Sequence, residues 1–195
     1  HSVLGEEESN MIAGSEYVWV CDPIDGTIPY SLGLPISTFS LALVKNGRPI
    51  LGLLYDPILN RLIVAELDKG AYLNYKLIKV SESTSLNRSL VALENNDTRF
   101  CKIRERLAGQ GSLVTTFASI TYPSLLVAIG EFKAAIWFGK TPWDGAAVQI
   151  IVEEAGGVCT DISGNNQRYD REINGLVASN KNIHPRIIEM IKECL

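Results

Sequence analysis

Residues 19–30 read WVCDPIDGTIPY. An apolar run ends at Asp22, a second carboxylate follows at Asp25, and Gly26 and Thr27 come directly after it. Two acids and a glycine closing a strand-like run have more than one reading. Asp-Pro and Asp-Gly are both turn-formers, so the plainest is a turn and nothing more. A hard-cation site is the other, because paired carboxylates beside a glycine offer oxygen ligands next to backbone that can approach an anion closely.

Two further readings fit poorly. An EF-hand calcium loop needs acids at alternate positions before its glycine and a closing Glu. The spacing of Asp22 and Asp25 misses this, and no helix signal precedes them. Phosphatases that attack with an aspartate at a strand end use D-x-D-G-T. Here the acids are three apart, and in an extended chain the extra residue turns the second side chain to the opposite face. No downstream paired-Asp motif accompanies it either.

The 195 residues suffice for one domain with a real core or two small ones, and a composition 46 % hydrophobic and 21 % charged argues against disorder. The net charge of −4 argues against a nucleic-acid or anionic-membrane surface, and no apolar run is long enough to span a bilayer. Cys21, Cys101, Cys159 and Cys194 are scattered without CxxC spacing and read as reduced thiols of a cytoplasmic protein. The start, HSVLGEEESN, has neither an initiating Met nor a signal-peptide core, so the expectation is a single domain over residues 1–195 that is N-terminally incomplete.

From residue 17 to about 93, β-rich runs alternate with turn residues, and Lys45-Asn46-Gly47-Arg48 predicts a hairpin. Helical spacing of Phe100, Ile103 and Leu107 predicts a helix in TRFCKIRERLAG, stopped by Gly109. SITYPSLLVAIG predicts a buried helix with Ser119 as N-cap, FKAAIWF a strand, and PWDGAAVQIIVEEAGG one helix ending at Gly156. GLVAS reads as a strand and NIHPRIIEMIKECL as an amphipathic helix. Together these predict a layered α/β domain.

Two other acidic positions matter. GEEES holds Glu6, Glu7 and Glu8 shortly before the strand leading to Asp22, and KTPWDGAA places Asp144 in a first helical turn. Taken singly, a solvated loop and a helix-end acid explain them. Taken together, GEE, DPIDGT and WDGAA…EAGG, in that order, resemble the inositol monophosphatase family of magnesium-dependent, lithium-sensitive phosphomonoesterases, and the resemblance runs from His1 to the C-terminus.

The resemblance implies an α+β layered sandwich of the sugar-phosphatase kind and a homodimer. It implies side-chain ligands for two or three Mg2+ ions at Glu6, Asp22, Asp25 and Asp144, with the Ile24 carbonyl as a further ligand. Glu7 would support the metal shell, and Gly26 and Thr27 would hold the phosphate. The implied reaction is attack by metal-activated water on a small, inositol-phosphate-like monoester, without a covalent enzyme intermediate. His1 and His184 are the only histidines, and neither is placed to act as base.

The family's acid seven positions before the WD aspartate, which contacts a ring hydroxyl, is replaced here by Trp137. That side chain reads either as a core residue or as a flat wall for an aromatic or apolar leaving group. Ala118-Ser119-Ile120 replaces the family's Gly-Ser/Thr-Ala, and Ser119 reads either as substrate contact or as helix cap. Histidinol-phosphate, fructose-bisphosphate and nucleotide 3′-phosphate phosphatases on the same fold, and a metal-binding paralogue without turnover, are the alternative functions. Family members also carry helices before GEE, and none is present in this sequence.

Overall fold

A computed structural model describes residues 1–94 and 99–195. Its first half is a seven-stranded sheet in the order β1 (Ser2–Gly5), β2 (Tyr17–Asp25), β3 (Thr38–Lys45), β4 (Arg48–Asp56), β5 (Arg61–Glu66), β6 (Gly70–Leu73) and β7 (Lys76–Leu77). Only β1 and β2 run parallel; the rest form a meander, with the expected hairpin at Asn46-Gly47 joining β3 to β4. A short helix, α1 (Thr27–Ser31), follows β2 directly.

The second sheet has five strands in the order β11 (Val158–Thr160), β12 (Leu176–Ser179), β10 (Ala134–Trp137), β8 (Leu90–Glu94) and β9 (Leu113–Thr115). Its members β10, β8 and β9 are parallel, as crossover connections require. Helices α3 (Thr121–Ala128) and α4 (Ala146–Glu154) contact strands of both sheets and form the middle layer. They are apolar nearly all round, as helices enclosed on two sides must be. Helices α2 (Arg99–Gly109) and α5 (His184–Cys194) pack against each other and on the five-stranded sheet. They bury Phe100, Ile103, Leu107, Ile187 and Ile191 in a second core.

Several boundaries differ from expectation. Thr98, at the start of the expected TRFCKIRERLAG helix, lies outside the described residues. Past the end of α2 it is Gly111, at φ 85°, and not Gly109, that takes the left-handed conformation. The single helix expected from Pro142 is broken into a 3-10 turn (Pro142–Asp144) and α4, with Gly145 between them at φ −113°.

The strands β2 to β5 alternate in burial. Val18, Val20, Ala42, Val44, Leu54 and Ile63 face the middle layer, whereas Trp19, Leu41, Leu43, Leu51, Leu53, Leu62 and Val64 form an outer face that is only half-buried. Both faces of this sheet are therefore apolar.

Candidate active site

Strict alternation along β2 would place Asp22 and Asp25 on opposite faces of the sheet. They do not lie so. Asp22 pairs with Ser40 and Asp25 with Thr38, so β2 uses three steps where β3 uses two. This bulge turns both carboxylates to the same buried side, leaving Asp22 2 % and Asp25 7 % exposed. Pro23 sits inside it, where a strand tolerates proline, and the Ile24 N–H closes it by donating to Asp22 Oδ1 at 2.8 Å.

Gly26 follows at φ 86°, and a Cβ there would lie 2.9 Å from the Ile36 carbonyl oxygen and 3.3 Å from Ser119 Cβ. Both the backbone angle and the space demand glycine. Thr27 opens α1 and is exposed.

The third acid arrives from the other half of the chain. Asp144 ends the 3-10 turn, its carboxylate accepting the Thr141 hydroxyl. One carboxylate oxygen each from Asp22, Asp25 and Asp144 lie within 4.8 Å of one another. Among the described residues no Lys, Arg or His forms an ion pair with any of them. Burial raises the pKa of all three, and repulsion from neighbouring acids adds to it at Asp22 and Asp144: Asp22 to about 9, Asp144 to about 7, and Asp25 in the same direction. The Ile24 N–H partly offsets this at Asp22, as do Ser119 and Thr121 at Asp25.

Asp25 is also held by direction. Its Oδ2 accepts the Ser119 hydroxyl, the Thr121 hydroxyl and the Thr121 N–H, the last at 2.8 Å. With one oxygen so occupied, the other is the one left for the cluster. Ser119 additionally accepts the Tyr122 N–H at 3.1 Å, but the residue at the N-cap of α3 is Ile120 and not the expected Ser119, which braces the helix start from one position further out while also reaching Asp25.

Glu6 lies outside the tight trio but near enough to raise the pKa of both Asp22 and Asp144. Its backbone N–H donates to the Cys21 carbonyl at 3.2 Å, which ties the GEEES loop beside β2. Glu7 is exposed. His184 is remote from the cluster and buried between Thr160 and Ser179, its ring nitrogens 3.0 and 2.7 Å from their hydroxyls.

A cavity of about 350 Å³ adjoins the trio, lined by Asp25, Asp144, Ser119 and Ile120, with Ile28, Glu94, Thr116, Ala118 and Trp137. Asp25, Glu94 and Trp137 are each the last residue of a strand, so the cavity opens at carboxyl strand ends, a recurrent place for ligands in α/β folds. Glu94 has no motif around it and escapes sequence reading. Its carboxylate accepts the N–H groups of Phe117 at 2.8 Å and Ala118 at 2.9 Å, and burial above all pushes its pKa up to about 7.

The bulge, the acid trio and the cavity describe a layered α/β protein with a group of carboxylates that could hold a metal ion beside a small cavity. The model of the inositol monophosphatase family matches residues 1–195. A fructose-1,6-bisphosphatase/inositol-1-monophosphatase of Thermotoga maritima is 33 % identical over 186 residues, which cover 95 % of this chain and 72 % of that protein. Inositol monophosphatase 2 of Solanum lycopersicum is 32 % identical over 99 % of this chain and 74 % of its own length. A solved IMPase structure from Thermotoga maritima superposes with a TM-score of 0.90 at 32 % identity, over 98 % of this chain and 74 % of that one. The chain belongs to the inositol monophosphatase family, whose named relatives are phosphoric monoester hydrolases.

Proposed function

We propose that this chain hydrolyses a small phosphate monoester with the help of magnesium. The observation that carries the reading is the trio of Asp22, Asp25 and Asp144: two buried acids and a half-buried one, with carboxylate oxygens within 4.8 Å of one another and, among the described residues, no cation paired with them. Such an arrangement is costly unless a cation fills it, and an all-oxygen donor set suits a hard divalent ion.

Asp22, Asp25 and Asp144, with Glu6 and the Ile24 carbonyl, would hold the metal, and Glu7 would support it from the loop. Bound magnesium would supply Lewis-acid polarisation of the phosphate and a more acidic water. The chain's own work is positional. The bulge aims two acids at one point, and Ser119 and Thr121 fix the orientation of Asp25. The Gly26 N–H and the Thr27 N–H and hydroxyl would receive phosphate oxygens, and the leaving group would lie in the cavity against Ser119 and Trp137.

Phosphate release from a panel of monoesters, with magnesium and with chelator, tests the reading. Magnesium-dependent release lost in Asp22→Asn and Asp144→Asn is the expected result. A well-folded protein that binds magnesium yet releases phosphate from no ester would leave a binding paralogue as the better description.

A further inference from the structure

We propose that Glu94 and Trp137 form a subsite for a leaving group that carries a protonated amine, Glu94 pairing with the ammonium and Trp137 covering the adjacent apolar or aromatic face. The inference rests on the phosphomonoesterase reading above and deepens it to a substrate class: the phosphate monoester of an amino alcohol.

Glu94 and Trp137 are register partners at the ends of the parallel strands β8 and β10. In-register neighbours project to the same side of a sheet, and both line the cavity that Asp25 and Asp144 share. Glu94 is 5 % exposed. The Phe117 and Ala118 N–H groups, with that of Ser119 beside them, fix its direction, but neutral N–H donors leave its charge without a counter-ion. It forms no ion pair among the described residues, and no Lys, Arg or His is among the described residues lining the cavity.

The indole lies where a side chain at position 139 would otherwise sit. A Cβ at Gly139 would fall 1.7 Å from a Trp137 ring carbon, so the ring lies directly over that glycine. Ile28, Ala118 and Ile120 complete an apolar surround. Cations bound by Asp22, Asp25 and Asp144 would balance those acids and leave Glu94 as the uncompensated anion of the cavity. An ammonium beside it gains an ion pair and, over the indole face, a cation–π contact. A neutral hydroxyl gains only a hydrogen bond.

Two esters of equal size test this: 4-(aminomethyl)benzyl phosphate and 4-(hydroxymethyl)benzyl phosphate, assayed on the intact protein with magnesium. The wild type should favour the amine by about tenfold or more in kcat/KM, the scale of a hydrogen bond to a charged group. Glu94→Gln keeps an oxygen for the Phe117 and Ala118 N–H groups but loses the charge, and should bring the ratio to about one. A wild-type ratio near one, or a preference that survives Glu94→Gln, overturns the proposal. So does an equal loss on both esters, which would make Glu94 only a clamp for residues 117 and 118. If no monoester is hydrolysed, inositol phosphate included, the phosphatase reading itself has failed. Calorimetry with 4-(aminomethyl)benzyl alcohol then decides the subsite alone, binding to the wild type but not to Glu94→Gln supporting it and equal binding overturning it.

Discussion

The hydroxyl of Ser119 donates to the carboxylate of Asp25, joining the loop before α3 to the end of β2 across 94 positions of sequence. Groups that orient a ligating carboxylate commonly influence metal affinity by about 10- to 100-fold. Ser119→Ala should therefore weaken magnesium binding by about tenfold or more. The Thr121 N–H and hydroxyl still hold Asp25, so the fold should survive with a loss of about 1 kcal/mol. Magnesium titration followed by thermal melting separates the two effects, and unchanged affinity would show that Ser119 serves α3 alone.

Stability should depend on pH and magnesium together. Asp22 and Asp144 have folded-state pKa values raised to about 9 and about 7, above their ordinary 3.8. The folded state therefore binds more protons than the unfolded one between these limits. Their contribution is fully present below about pH 4 and is lost as pH rises through about 7 and then 9. Ion-free protein should melt lower at about pH 8.5 than at about pH 6, and one fixed magnesium concentration should help more at the higher pH, where the ionised acids bind it more tightly. At about a hundred times the dissociation constant the gain is about 2.7 kcal/mol. An equal magnesium shift at both pH values would contradict the assignment of these acids as ligands.

Ala118 holds a backbone φ of 54°, a conformation costing a residue with a Cβ about 1–2 kcal/mol. Ala118→Gly should relieve this, offset in part by greater unfolded-state freedom, and raise the melting temperature by about 1–3 °C. A lower melting temperature would mean that the Glu94 carboxylate, through the N–H groups of Phe117 and Ala118, already compensates the turn.

Gly139→Ala must displace the Trp137 indole, because the added carbon and the ring cannot occupy the same space. The expected signature is altered tryptophan fluorescence with a raised KM for esters that fill the cavity. Wild-type fluorescence and an unchanged KM would place the ring elsewhere.

His184 should prove structural. Burial pushes its pKa down from 6.5 to about 4. The unfolded state then binds the extra proton between these values, so its contribution is present above about pH 6.5 and is lost as pH falls through about 4. His184→Gln should flatten the acid limb of the stability profile without changing the pH profile of turnover. A shift in the latter would give the imidazole a part in the chemistry.

The sequence announces the acids and conceals their geometry. DPIDGT and WDGAA name Asp22, Asp25 and Asp144, but period-two alternation separates the first two. Only the bulge, a property of the pairing with β3, reunites them. Glu94 was invisible for a related reason, since its partner Trp137 is supplied by a parallel strand pairing that local pattern does not encode. The long amphipathic and buried helices and the strands β2 to β5 were legible from periodicity. The short strands β1, β6, β7, β9 and β11 were not, having too few residues to show a period. The helix break before α4 was missed because Pro142 and Gly145 are each compatible with a helix start, and their joint effect is settled by packing.

The two-sided apolar character of β2 to β5 has a consequence for how the chain finds its alignment. Where one face is polar, slipping a strand by a single residue exposes the core set and is self-correcting. Here a slip exchanges Val18 and Val20 for Trp19 and Cys21, one greasy row for another, and hydrophobicity barely distinguishes them. The marks that can distinguish them are few: the Asn46-Gly47 turn, the buried Asp56 bound to Arg61 at 2.7 Å, and Asp22, Thr38 and Ser40 on the inner face. In a slipped sheet Asp22 would point outward, away from Asp144. The carboxylates that would gather a cation thus also act as fiducials, and a cation present during folding would favour the one alignment that brings them together.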